Sequence, residues 1–304
     1  MLLYYHKDLK GNFGDDLNPW LWDRLLPGFF RGDFPHEPKL RQTSPDGETL
    51  FIGIGTLLNR NIPQTAKKIV FGSGAGYGPP PTIDGSWDIS CVRGPLTAAM
   101  LGLDTSMAVT DPAVLVRAIN FQRGPKTRRI SYMPHCSSAR NFDWSRICER
   151  VGIGFIDPQQ SVDEVLRGIC STEILITEAM HGAIVADALR IPWLPVATSP
   201  AILELKWHDW CKSVGLQYKP AKMPALWRLG DKPSPSARLR SAVKAVTVHA
   251  ILRQIIRKGI PLLSANARIE QATDELKERL ARLQQRYGAA SEAPLSATRG
   301  NEGL

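Results

Sequence analysis

The chain has 304 residues, 43% of them hydrophobic and 22% charged, which is enough apolar material for the cores of two ordinary domains. Its net charge of +9 points to an anionic partner, without choosing among nucleic acid, an acidic membrane surface and a phosphorylated substrate. Five cysteines, Cys91, Cys136, Cys148, Cys170 and Cys211, stand singly with no CxxC pair, which excludes the common zinc and iron–sulfur spacings and favours a reducing compartment.

The chain opens with Leu2–Tyr5 as a short strand rather than a charged-then-apolar leader, and no run of about 18 uncharged apolar residues reads as a membrane span. A cytoplasmic protein is expected. Strands at 50–54 and 68–71 are each followed by glycines, Gly53-Ile54-Gly55 and Gly72-Ser73-Gly74. A strand at 89–92 leads into a helix over 94–101 with Pro95 in its first turn. Residues 117–129 are polar and basic around Gly124-Pro125 and read as a linker. A second alternating set follows: strands at 129–133, 173–177 and 192–196, and helices at 142–151, 162–168 and 179–189. This alternation predicts parallel sheets covered by helices. The fold class is α/β, with two similar Rossmann-like halves facing across a cleft at the carboxyl ends of their strands, where ligands bind in such folds. Domains are expected at 1–122 and 123–218, with a basic helical extension and disordered tail at 219–304.

From Lys232 to Ile269 there are eight basic residues and no acidic one. Beyond it, Ile269, Ala272, Leu276, Leu280, Leu283 and Tyr287 form a helical stripe at three-four spacing.

Several residues fall where chemistry is expected. Asn12, Asp15 and Asp16 follow the first strand; they read either as a helix start or as a carboxylate base for a hydroxyl. The glycines from Gly72 to Gly78 run into Pro79-Pro80-Pro81, so neither a P-loop nor a dinucleotide site is expected. Arg93, between a strand and a helix, can clamp a carboxylate or phosphate or form an ordinary ion pair, and its loss is expected to leave the fold standing. His181 opens a helix in the second half, where an imidazole can bind an anion, exchange a proton or serve structure. His135 is a second cleft candidate, and His208 reads as packing between aromatics.

Taken in order, the segments 11–18, 53–56, 72–74, 92–95, Asp111-Pro112 and 177–183 resemble the polysaccharide pyruvyl transferase family, and most closely the succinoglycan-type ketalases of bacterial exopolysaccharide synthesis. The resemblance implies a fold like GT-B glycosyltransferases, with phosphoenolpyruvate in the cleft and no metal or organic cofactor. It implies that Arg93, Met180, His181 and Gly74 bind the donor, that His181 serves as acid, and that Asp15 or Asp16 serves as base. Ala179 stands where many members have arginine; Lys206 or Arg140 can substitute for it. The implied acceptor is a sugar of a lipid-linked oligosaccharide, giving a cyclic ketal and phosphate. The basic extension then reads as a peripheral contact with the anionic inner membrane, or as a helix packed across both halves. A GT-B-type glycosyltransferase using a nucleotide sugar is the alternative. No nucleic-acid partner is expected, because the basic stretch lacks interleaved aromatics.

Overall fold

The computed structural model describes residues 1–36, 48–63, 67–198, 202–227 and 234–288. The first half runs β1 (Leu2–His6), α1 (Phe13–Leu25), β2 (Gly32–His36), β3 (Thr49–Ile52), β4 (Lys67–Phe71), β5 (Trp87–Cys91) and α2 (Pro95–Met100). A 3-10 segment, Pro112–Ala118, leads out of it, and residues 119–127 cross to the second half without regular structure. There follow β6 (Arg128–Met133), α3 (Cys136–Asn141), α4 (Trp144–Val151), β7 (Gly154–Phe155), α5 (Val162–Cys170), β8 (Thr172–Thr177), α6 (Met180–Ala188), β9 (Trp193–Ala197), α7 (Glu204–Ser213) and β10 (Ala221–Lys222). Two long helices close the described chain, α8 (Pro235–Lys258) and α9 (Asn266–Gly288).

The first sheet has the order β2-β1-β3-β4-β5 and the second β7-β6-β8-β9-β10, with every pairing parallel. Numbered within each half, both are 2-1-3-4-5. The strands are apolar on both faces, as a sheet sandwiched between helices requires. Leu3, Tyr5, Phe51, Ile69 and Phe71 enter one cluster, and their neighbours Tyr4, Leu50, Ile52 and Val70 enter another on the opposite face. The larger of these clusters crosses between the halves, joining Leu17, Leu21 and Trp22 of α1 to Leu166 and Ile169 of α5 and to Ala183 and Ile184 of α6. The expected two facing Rossmann-like halves are therefore present.

The stretch from 219 onward, expected as a helical extension, divides between the halves. Ala221–Lys222 adds an edge strand to the second sheet, and α8 seats Val248, Leu252 and Ile255 in the core beneath it with Trp144 and Ile147 of α4. α9 returns to the first half, where Ile269, Ala272, Leu276, Leu280 and Leu283 are buried, as the spacing predicts. Arg279 of α9 donates to the Ser90 and Ser106 carbonyls (2.8 Å for the latter), and Arg286 pairs with Asp88 at 2.7 Å. Lys232 and the tail 289–304 lie outside the described residues.

Candidate active site

In a 2-1-3-4-5 sheet the chain turns in opposite directions from the first and third strands, which opens a crevice at their carboxyl ends. The two halves face each other at these points, β1/β3 against β6/β8, and enclose a cavity of about 520 Å³. Its wall takes His6 at the end of β1, Asp8, Asn12, Gly14 and Asp15 beyond it, and Gly55 and Thr56 after β3. From the second half come His135 and Arg140 after β6, Ala179, Met180 and His181 after β8, and Lys206 of α7.

The first motif folds as the sequence dictates. Asn12 caps α1 by accepting from Gly14 N at 3.2 Å, and its Nδ2 donates to Asp15 Oδ2 at 2.6 Å. Pro19 inside α1 brings no N–H for the Asp15 carbonyl, and Asn18 Nδ2 donates to that carbonyl instead, at 3.3 Å. The Asn18 amide also exchanges hydrogen bonds with the Ile54 backbone at 3.0 and 2.9 Å, which fastens α1 to the turn after β3. The two carboxylates expected here are separated. Asp15 faces the cavity, and burial pushes its pKa up to about 6, against the pull of the His6 and His181 charges and the Asn12 amide. Asp16 turns back to accept from Asn12 N at 3.1 Å and does not line the cavity.

His181 lies in the first turn of α6, whose start no side chain caps. It is pressed against Gly14: a Cβ on that glycine would sit 2.1 Å from the His181 Nδ1, so only glycine lets α1 approach the imidazole this closely. On its other side His181 Nε2 stands 3.6 Å from Asp111 Oδ2, and neither atom has a hydrogen-bond partner. Asp111 is buried and held at the start of the 3-10 segment by Ala113 N at 3.0 Å. The arrangement is an imidazole beside a buried carboxylate, with a second carboxylate, Asp15, close enough to feel its charge.

Glu178, next to this motif, is fully buried and accepts from His135 N at 3.1 Å and Thr198 N at 2.8 Å, bracing the ends of three neighbouring strands. His135 faces the cavity as expected, but burial, then the charges of Lys206 and Arg140, lower its pKa to about 4, so it is neutral near pH 7. Lys206 lines the same wall. Burial and then the Arg93 charge lower its pKa to about 8. Of the two cations expected to stand in for an arginine at Ala179, Lys206 has no ion-pair partner among the described residues, whereas Arg140 is engaged across the halves. It pairs with Asp8 at 2.6 Å and donates to the Gly11 carbonyl at 2.8 Å.

Arg93 is where the sequence reading and the structure differ most. Its side chain is wholly buried and does not line the cavity. Nε pairs with Asp209 Oδ2 of α7 at 3.1 Å, and Nη1 donates to the wall residue Thr56 at 2.8 Å. Nη2 is buried without a partner. Gly74 is not a wall residue either: it leaves room for this guanidinium, whose Nη2 would lie 2.2 Å from a Cβ there. Asp209 also accepts from Leu96 N at 2.9 Å, and from Thr97 N at 3.0 Å and Thr97 Oγ1 at 2.6 Å, so the Arg93-Gly94-Pro95 turn is a socket for α7. A strand-to-helix junction reads as cleft-facing, and a partner 116 residues away is invisible to local pattern.

His6 was not singled out by the sequence; Asn18, Asp111 and Glu178 lie inside the segments that carry the family resemblance but were given no role of their own. His208 packs edge-on to Tyr218 at 5.5 Å, as expected. No group of three or more His, Cys, Asp or Glu side chains is arranged to hold a metal ion among the described residues.

Comparison with known proteins gives three findings. The wall teichoic acid polymerase TagF aligns over 93% of this chain and 89% of its own at 10% identity, with a TM-score of 0.33, too low to carry an argument. The succinoglycan biosynthesis protein ExoV of Rhizobium meliloti (strain 1021) is 44% identical over 229 residues, 74% of this chain and 68% of ExoV. The family model for polysaccharide pyruvyl transferase matches residues 12–200, from the Asn12 cap of α1 to just past β9. With the motifs that build both walls of the cavity inside that match, the chain belongs to the polysaccharide pyruvyl transferase family.

Proposed function

We propose that the protein transfers the enolpyruvyl unit of phosphoenolpyruvate onto a sugar of a bacterial exopolysaccharide repeat unit, forming a cyclic ketal and releasing phosphate. The observation that carries this reading is the convergence, in one cavity of a pyruvyl transferase, of an uncapped helix start, a lysine and an imidazole beside a carboxylate that titrates near 6.

Lys206 and the first-turn N–H groups of α6, at Met180 and His181, hold the donor's phosphate and carboxylate. Lys206 takes the place that Ala179 leaves without a cation. Arg93 acts from behind the wall, through Thr56 and through its charge, with Gly74 giving it room. His181, beside Asp111, delivers a proton to the donor's methylene carbon, which becomes a methyl group. Asp15 accepts the proton of the first sugar hydroxyl as its oxygen bonds to C2. Asn12 holds Asp15 in place. The second hydroxyl then forms the other C2–O bond as the bond from C2 to the phosphate oxygen breaks. The electron pair and the second hydroxyl proton leave with phosphate. No step requires a metal ion or an organic cofactor. The acceptor is a lipid-linked oligosaccharide.

The test is incubation of the protein with isotopically labelled phosphoenolpyruvate and an oligosaccharide acceptor. Phosphate release matched by label in a ketal is expected. Label retained in phosphoenolpyruvate while a nucleotide sugar is consumed would overturn the reading in favour of glycosyl transfer.

A further inference from the structure

α8 behaves as two helices in one. Its second half packs Val248, Leu252 and Ile255 into the core of the second domain. In its first half, from 235 to 247, none of the described side chains is buried. Leu239, Val243 and Val246 are 67%, 56% and 69% exposed there. At i, i+4 and i+7 they fall on one stripe, which Ala250 extends at i+11. The stripe points away from the face that Val248 and Leu252 bury.

The charges are sorted around it. Arg240, Lys244, Arg253, Arg257 and Lys258 are exposed, and none forms an ion pair among the described residues. No acidic residue occurs between Lys232 and Ile269 to offset them. Trp227 and Ile260, before and after α8 in the sequence, are 56% and 85% exposed. Of the seven large hydrophobic side chains exposed among the described residues, five lie between 227 and 260. Leu239, Val243, Val246 and Ala250 thus form an apolar strip on the outer face of α8, with Arg240, Arg253 and Lys258 to its sides and Arg257 at its end.

We propose that this face of α8 docks the protein on an anionic phospholipid bilayer. An interfacial helix needs an apolar strip that sinks about 5–10 Å to the acyl boundary and cations beside it at phosphate height. α8 supplies both, and the stripe from Leu239 to Ala250 gives about 18 Å of apolar contact along the surface. A protein partner would instead be expected to find aromatic anchors in a pocket. The stripe is flat and aliphatic. No helix among the described residues is long and apolar enough to cross a membrane, so the contact is peripheral. The inference stands on α8 alone and does not depend on the reaction catalysed.

The experiment is flotation of the full chain with vesicles of phosphatidylcholine, or of phosphatidylcholine mixed equally with phosphatidylglycerol. Binding to the anionic vesicles, weakening as salt rises from about 0.05 to 0.5 M, is expected. Val243→Asp with Val246→Asp, both at exposed positions, should lower partitioning at least about tenfold with the circular dichroism spectrum unchanged. Arg253→Glu with Arg257→Glu should do the same, since each cation near such a surface contributes about fivefold. Absence of flotation, equal flotation with neutral vesicles, or wild-type binding by either pair of variants would overturn the proposal. A concentration-dependent dimer that the Val243 and Val246 substitutions abolish, without flotation, would assign the stripe to a second copy of the chain instead.

Discussion

Asp15 holds its proton more tightly than a free aspartate because burial disfavours the anion, and a base of the proposed mechanism has to lose that proton. The folded pKa of about 6 lies above the ordinary 3.8. The folded protein therefore binds more protons than the unfolded chain between these values, and stability falls as pH rises through that window. Asp15→Asn should melt at a higher temperature than wild type at neutral pH, with the difference vanishing below about pH 4, while turnover drops by about 100- to 10,000-fold. Calorimetry and initial rates on the same preparations check both. Lys206 sets the opposite limb. Because its cation is lost as pH rises through about 8, kcat/KM for the donor should fall there. Lys206→Arg should keep its charge and move that limb upward, and Lys206→Met should raise KM at every pH. A pH–rate series on the three proteins is the measurement, and an unchanged alkaline limb in Lys206→Arg would remove Lys206 from donor binding.

At the scale of elements, α7 and α9 each fasten something distant. Asp209→Ala would leave Arg93 buried and unpaired and α2 without its cap, so a loss of about 3–5 kcal/mol in urea denaturation is expected. The same pair means that Arg93→Ala should be read for stability as well as for donor binding. Leu276→Ala, in the fully buried stripe of α9, should cost about 2–5 kcal/mol by the same measurement. That stripe was legible beforehand because five buried positions repeat at three-four spacing over 15 residues. Other elements were not. β2 reads Gly-Asp-Phe-Pro-His, which argues against a strand, and only its place at the sheet edge makes proline tolerable. β7 and β10 have two residues each and carry no period. α7 mixes Trp207 and Trp210 with His208, Asp209 and Lys206, because one face enters the core and the other meets Arg93 and the cavity. The site shows the same divide. The segments around Asn12–Asp16 and 177–183 were readable because each lies beside a strand end. The tie from His181 to Asp111, and the commitment of Arg93 to Asp209, depend on pairs 70 and 116 residues apart.

On the scale of the whole molecule, the halves share more than a cleft. Phe13 N donates to the Pro158 carbonyl at 2.9 Å, Gln159 Nε2 to the Lys10 carbonyl at 2.8 Å and Trp20 Nε1 to Asp163 at 3.0 Å, beside the Asp8–Arg140 pair. The principal core cluster is continuous across them. Interfaces between domains of one chain commonly allow them to unfold separately. Here a single cooperative transition is expected, with tryptophan fluorescence and far-ultraviolet circular dichroism superimposing in urea. Two resolved transitions would mean that the shared cluster does not couple the halves.

The return of α9 to the first half reverses the order in which the molecule can be finished on the ribosome. The first sheet emerges early with α1 on its face, but the helix that completes the cover beside β5 and the 3-10 segment begins at Asn266, more than a hundred residues after the crossing at 119–127. At roughly 5–20 residues per second, the nascent first half waits on the order of ten seconds for its cover. The second half, by contrast, has every helix of its own core once Lys258 is out. The half that is made second is complete first, and the half that is made first spends the rest of translation as a surface that chaperones can hold.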